Sequence, residues 1–278
     1  MTAFRAAPFK AACIQLRSSD DVAENIRETV RLVREAAARG ASFIATPENT
    51  TLMAPDGGAK LAQSFDEAND PALPVFSALA KELNVWLLIG SVAIKVSDSK
   101  TANRSFLFAP DGEVAARYSK IHLFDVALAS GEVYRESNTV AGGGEAVVAD
   151  TALGTIGLTI CYDVRFPQLY RRLAQKGAFL FTVPSAFTVP TGEAHWHVLL
   201  RARAIENGAF VIAPAQGGLH ANGRKTYGHS LIISPWGEVL AEAGTDPGVI
   251  MAEIDPTLSQ QARAKVPNLQ HDRAFTGP

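Results

Sequence analysis

The sequence predicts an α/β protein, with one mixed sheet or two sheets, in a single domain over residues 1–278. Three observations carry this reading. Short apolar runs bounded by breakers alternate with segments of helical spacing. Antiparallel hairpin signals are interleaved among them. No Pro/Gly/Ser-rich linker divides the chain, and 47% hydrophobic residues suffice for a sizeable core.

The elements follow in order. Lys10 to Leu16 reads as a strand. Asp21 with Glu24 is an N-cap and its partner three residues on. The helix they open places Val22, Ile26, Val30, Val33 and Ala37 at helical spacing and ends at Gly40. Ala41 to Thr46 is a strand stopped by Pro47, and Glu48 follows at once. Pro71 opens a region in which Phe76, Leu79, Ala80 and Leu83 keep helical spacing. Val85 to Ile94 is a strand. Residues 104–108 and 113–118 are hairpin arms around Pro110-Asp111-Gly112. Residues 125–144, with Glu132 and Glu136, read as a loop closed by Gly142-Gly-Gly144. No helix follows that triple glycine, so it is not a phosphate cradle.

Residues 145–150 and 155–160 form another strand pair, ending at Cys161. Pro167 opens a helix that stops at Gly177. Residues 178–183 and 209–213 are strands, and Glu193 to Asn207 between them is helical, stopped by Gly208. A glycine-rich loop, Gly217 to Lys225, leads to strands at 227–233, 238–241 and 249–254. The tail from Pro256 holds one short helical stretch.

Composition removes several function classes. The net charge is −2 with no basic block, so neither nucleic acid nor a membrane surface is an expected partner. The first ten residues lack the apolar core of a signal peptide. No apolar run reaches the roughly 18 residues that span a bilayer. Cys13 and Cys161 sit in or at the end of strand-like runs, which argues against a disulfide framework and for a reducing cytoplasm. There is no G-x-G-x-x-G after a strand and no Walker A sequence, so nucleotide binding has no support, and there is no G-x-S-x-G elbow. His195-Trp-His197 is the one metal candidate. Positions i and i+2 of a helix do not share a face, and nothing supplies the other ligands. Both histidines are expected at a surface or interface, without metal.

Cys161 ends an apolar run and precedes Asp163, Arg165 and a helix. As a lone cysteine in such a run it reads as a small buried hydrophobe. As a residue at a strand's C-terminal end, before a helix, it lies where α/β sheets bind ligands, and N–H groups there favour a thiolate. Glu48 and Lys120 also follow apolar strands. Singly each reads as a solvated loop charge. Together, three strand ends in one crevice would offer a base, an oxyanion partner and a nucleophile.

Wider motifs surround these residues. They are Pro47-Glu48, Tyr118-Ser-Lys120-Ile-His-Leu-Phe124 and Ile160-Cys-Tyr-Asp-Val-Arg-Phe-Pro167. Pro184-Ser-Ala-Phe187, Leu200-Arg-Ala-Arg-Ala-Ile-Glu-Asn207, Tyr227-Gly-His-Ser230 and Pro235-Trp-Gly237 continue the pattern. In this order, over nearly the whole chain, they resemble the nitrilase superfamily of carbon–nitrogen hydrolases. The resemblance implies a nitrilase-like α-β-β-α four-layer sandwich, dimerised or further assembled. It implies a Glu48, Lys120 and Cys161 triad with Glu136 as a second glutamate. It implies amide hydrolysis without a cofactor, the backbone N–H of Tyr162 joining Lys120 on the oxyanion. Cys161-Tyr-Asp-x-Arg-Phe-Pro167 is similar to the amidases of 2-oxo acid amides, the deaminated glutathione amidases and the ω-amidases. Arg165 is then the expected fork for a substrate carboxylate, and Phe187 and Thr191 are pocket positions. Gln216, His220 and Arg224 resemble the deaminated glutathione type and would govern what lies beyond the scissile amide. A non-catalytic scaffold of the same fold is the alternative from another class.

Overall fold

The computed structural model describes residues 7–127, 131 and 133–277. Residues 1–6, which bear on the signal-peptide reading, and Glu132 lie outside these. The chain opens with β1 (Phe9–Gln15) and α1 (Val22–Ala38). The Asp21 carboxylate caps α1 by accepting from the Glu24 N–H at 2.9 Å. The Glu24 carboxylate does not return to Asp21. Ser19 Oγ donates to it and accepts from the Asp21 N–H, so the box closes through a relay.

Next come β2 (Phe43–Ala45), α2 (Gly57–Ala62), α3 (Ala72–Leu83), β3 (Trp86–Lys95), β4 (Thr101–Phe108) and β5 (Val114–Ser119). Helix α2 was not legible in the sequence. It is one and a half turns long and starts with two glycines, and the Asp56 cap on the Ala59 N–H nucleates it. The expected loop at 125–144 is corrected. It holds a small hairpin, β6 (Asp125–Ala127) with β7 (Val133–Arg135), a 3-10 turn at Glu136–Asn138, and β8 (Val140–Ala141) against β4.

The second half runs β9 (Val147–Thr151), β10 (Gly154–Leu158), a 3-10 turn at Cys161–Arg165, α4 (Pro167–Gln175), β11 (Leu180–Thr182) and α5 (Val189–Asn207). Helix α5 begins four residues before Glu193, because Pro190 fits its first turn. Then follow β12 (Phe210–Ala213), β13 (Gly217–Leu219), β14 (Lys225–Tyr227), β15 (Leu231–Ile233), β16 (Val239–Glu242), β17 (Gly248–Ile254) and α6 (Pro256–Lys265). The glycine-rich loop is thus the tip of a β13–β14 hairpin.

Two large sheets result among the described residues, beside the two-stranded β6–β7 and β13–β14 hairpins. One has the order β17-β1-β2-β3-β4-β5 with β8 beside β4, the other β16-β15-β12-β11-β10-β9. Each has a parallel centre, β1-β2-β3 and β10-β11-β12, flanked by antiparallel strands. The strands of such centres are buried on both faces, which is why they read as unbroken apolar runs. In β1, Ala12 and Ile14 pack toward α1 and α3, while Ala11 and Cys13 face the second sheet. Helices α4 and α5 cover that sheet's far side. The layers are α-β-β-α, as expected. The ends of β2 and β10 lie at the carboxyl edges of the two parallel centres, and the chemistry gathers there.

Candidate active site

Glu48 is placed by a tight crossing of backbones. A Cβ at Gly90 of β3 would lie 2.0 Å from the Thr46 carbonyl oxygen and 2.5 Å from that of Pro47. Glycine lets the Thr46-Pro47-Glu48 backbone pass, and the Gly90 N–H donates to Thr46 Oγ1 at 2.9 Å. Glu48 is 4% exposed. Its Oε1 accepts from Lys120 Nζ and from Asn103 Nδ2, each at 2.8 Å.

Lys120 follows β5 and is equally buried. Its backbone N–H donates to the Asn103 carbonyl, and its own carbonyl accepts from the Gly143 N–H. A Cβ at Gly143 would stand 2.2 Å from the Ser119 carbonyl oxygen, so the triple glycine allows a close approach to the lysine's strand. The ammonium also donates to both Glu136 oxygens, at 3.2 and 2.9 Å. The Phe124 N–H, at 2.7 Å, fixes the Glu136 carboxylate. Asn103, which donates to both glutamates, was missed by sequence reasoning. A lone asparagine inside a strand carries no signal there.

Cys161 starts its 3-10 turn with φ +50°, a left-handed backbone rare outside glycine. Its N–H donates to the Pro184 carbonyl at 2.9 Å. The thiol interacts with the Glu48 carboxylate. Burial and then the negative Glu48 push the thiol above its ordinary range, only partly opposed by Lys120. The expected thiolate is therefore corrected: the N–H groups beside Cys161 do not outweigh its loss of solvent. Burial would raise Glu48 too, but the adjoining Lys120 ammonium holds its carboxyl below the usual range. Lys120, desolvated but held by Glu136 and Glu48, is raised well above the usual ammonium range. The resting site is a thiol, a carboxylate and an ammonium.

These three side chains open onto a cavity of about 410 Å³. Glu136, Tyr162, Phe187 and Thr191 line it as well. The Tyr162 ring packs edge-on against Phe124 and Phe166, and Phe187 leans on Trp196. Arg165 is not among the lining residues. Its guanidinium lies over the rings of Tyr162 and Phe187, at 5.9 and 5.7 Å, and Nη2 meets His195 Nδ1 at 3.2 Å. It packs on the two rings that form the aromatic wall. The cations that do line the cavity beside Lys120 are Lys60, Arg135 and Arg224. Lys60 Nζ donates to Asn49 Oδ1 at 3.1 Å. Neither Lys60 nor Arg224 pairs with a carboxylate among the described residues, and Arg224 Nε is buried without a partner.

The β13–β14 segment divides in role. Gln216 donates to the Glu48 and Asn49 carbonyls and accepts from the Ser18 N–H. His220 is held between the Ser18 carbonyl and Thr226 Oγ1. Both are spent on backbone and hydroxyl partners. Of the expected trio, only Arg224 lines the cavity. His195 and His197 part company as the helix geometry required. The expectation that nothing completes a ligand set at His197 is corrected, because His229 and Glu242 lie beside it.

Comparison with known proteins shows the family and the fold. The carbon–nitrogen hydrolase family model matches residues 10–264. A protein of Synechocystis sp., named deaminated glutathione amidase, is 43% identical over 271 residues, covering 95% of this chain and 98% of its own. The Caenorhabditis elegans NitFhit structure superposes with a TM-score of 0.91 at 33% identity, over 97% of this chain; this chain spans 66% of that one. An amidase from Nesterenkonia sp. superposes at 0.79 with 26% identity, over 93% of this chain and 98% of that one. That structure is of a glutamate-to-glutamine mutant and shows the result of Michael addition of acrylamide at its active-site cysteine.

Proposed function

The chain belongs to the carbon–nitrogen hydrolase family, and on that premise we propose that Cys161, Glu48 and Lys120 make it a cysteine amidase of deaminated glutathione. The products are 2-oxoglutarate and cysteinylglycine. The observation that carries the reading is the meeting of the Cys161 thiol, the Glu48 carboxylate and the doubly held Lys120 ammonium at one cavity wall. No histidine is needed, because Glu48 is an ionised base already beside the thiol.

As a carbonyl enters, Cys161 Sγ attacks its carbon and Glu48 takes the thiol proton. The oxyanion is held by Lys120 Nζ and the Tyr162 backbone N–H. Protonated Glu48 passes its proton to the leaving nitrogen, and the amine departs. Glu48 then deprotonates a water that attacks the thioester. The acid leaves, and the thiol regains its proton. Glu136 shares Lys120 with Glu48 and keeps the ammonium charged and aimed.

The substrate has a carboxylate at each end, and Lys60, Arg135 and Arg224 are the cations in the lining beside Lys120; Lys60 and Arg224 are the two assigned to them. The cavity volume suits a ligand of that size. Residues 1–278 act as one hydrolase domain, which the match over 10–264 supports. The enzyme works in the cytoplasm, a setting that suits its two unpaired thiols. It is a homodimer, and the exposed Val198, Ile205, Trp236 and Leu240 support this. The deciding experiment compares kcat/KM for deaminated glutathione and 2-oxoglutaramate. A tenfold preference for 2-oxoglutaramate makes the enzyme an ω-amidase. Cleavage of neither leaves the scaffold reading.

A further inference from the structure

Away from the cavity, three side chains from distant parts of the sequence converge. His197 Nε2 of α5 lies 3.0 Å from Glu242 Oε1 of β16. His229 Nδ1, from the turn before β15, lies 2.9 Å from the same oxygen. The three ligand atoms all fall within 4.8 Å of one another. We propose that His197, His229 and Glu242 bind a zinc-class divalent cation.

The donor set fits that class. Two imidazoles and one carboxylate suit zinc, nickel or copper, and not the all-oxygen shells of calcium or magnesium. Two donors on a tetrahedral zinc stand about 3.4 Å apart, from metal–ligand bonds of about 2.0–2.1 Å. The observed separations need adjustments of only about an ångström, within the play of side-chain torsions. The side chains are 32%, 28% and 39% exposed.

One imidazole is held in place independently of Glu242. His229 has φ +53°, an unusual backbone for a side-chain-bearing residue. Its N–H donates to the Gly244 carbonyl at 2.8 Å, and its carbonyl accepts from Trp196 Nε1 at 2.7 Å. The Tyr227 ring stacks on its imidazole with centroids 4.4 Å apart. Trp196 and His197 are neighbours on α5, so the helix that supplies one ligand also fixes the backbone of the second. A bound ion would link α5 to β16, the edge strand of its sheet.

The test uses the full chain with Cys161→Ala, so that the cavity thiol takes no metal. After chelator treatment, zinc chloride is titrated by calorimetry. One equivalent is expected to bind, with a rise in Tm that follows zinc concentration. Adding His197→Gln or Glu242→Gln should weaken binding at least about tenfold. So should His229→Asn, which keeps a residue tolerant of the left-handed backbone. Unsaturable binding, or equal affinity in all three variants, overturns the proposal.

Discussion

The Tyr118 hydroxyl donates a 2.6 Å hydrogen bond to Asp163 Oδ2, joining the strand that leads to Lys120 with the turn that carries Cys161. Asp163 Oδ1 meets the backbone N–H of His122 at 3.1 Å and its Nδ1 at 2.7 Å. A single buried carboxylate thus grips residues on both sides of Lys120, and also caps the Ile160 N–H. Tyr118→Phe keeps the ring and removes one donor. It should cost about 1.5–3 kcal/mol, the range for hydrogen bonds to charged groups. It should lower kcat about tenfold or more while leaving KM nearly unchanged, since ammonium and thiol lose their common anchor. An unchanged urea midpoint and unchanged kcat would show that the bond positions nothing.

Cys161→Ala should abolish turnover while the protein stays folded, because alanine fills most of the volume at the same backbone angle. Cys161→Ser should be nearly inactive, since a hydroxyl is far harder to deprotonate. Turnover by either variant, with wild-type contamination excluded by mass spectrometry, would remove the cysteine mechanism.

Lys120→Ala should lower kcat by about 10² or more, the scale for loss of an oxyanion donor. It also leaves Glu48 and Glu136 as buried carboxylates without their shared cation. Stability should therefore be measured alongside activity. Lys120→Met separates the effects poorly, whereas Lys120→Arg retains charge and should restore stability more than rate. Equal recovery of rate by arginine argues for a merely structural lysine.

Lys60→Met should raise KM for deaminated glutathione by about 10- to 100-fold, matching a lost charge-assisted contact of about 1.5–3 kcal/mol. Arg224→Met should act similarly. Arg165→Lys, which touches the aromatic wall, should change kcat/KM by less than about threefold. Steady-state kinetics on the three variants decides. A large effect at Arg165 with none at Lys60 returns the carboxylate fork to Arg165.

Stability should fall at alkaline pH because of two buried thiols. In the unfolded chain, Cys13 and Cys161 ionise from about pH 8.5. In the folded protein, burial holds both protonated well above that. The native state binds more protons in this window, so the contribution is complete below it and is lost as pH rises. The slope is about 1.4 kcal/mol per pH unit for each thiol. Below about pH 10 the buried tyrosines Tyr118 and Tyr170 do not yet add to it, since they too are raised from the ordinary phenol value. Urea midpoints between pH 8 and pH 10 should flatten in Cys13→Ala. An identical slope in that variant contradicts the assignment.

Sequence was most informative where local chemistry is self-contained. Asp21, Pro167 and Gly208 mark helix ends through their own backbones, and the apolar runs of the parallel strands are long enough to stand out. Glu48 and Cys161 follow such runs, Lys120 follows the second arm of a hairpin, and the family resemblance joined the three. What stayed hidden depends on partners far away in the chain. Asn103 matters only because β4 lies beside the Glu48 segment. Gln216 looks like a substrate ligand until its amide is seen on the Glu48 carbonyl. Arg165 carries the charge expected of a carboxylate fork, but its placement against Tyr162 and Phe187 is a tertiary fact. Lys60 was overlooked because its short helix opens with two glycines and has no apolar periodicity.

The raised Cys161 thiol bears on chemical damage as well as on turnover. Peroxide and alkylating agents attack the thiolate, and the first oxidation product opens the path to irreversible acids. At rest Cys161 offers a neutral thiol within a closed wall, with an anionic carboxylate beside it. Its nucleophilicity emerges only as Glu48 removes the proton during attack on a bound electrophile. The enzyme should therefore resist bulk oxidants that inactivate exposed thiolates. A carbonyl or Michael acceptor that carries its own carboxylate and fits against Lys60 and Arg224 should instead inactivate it selectively.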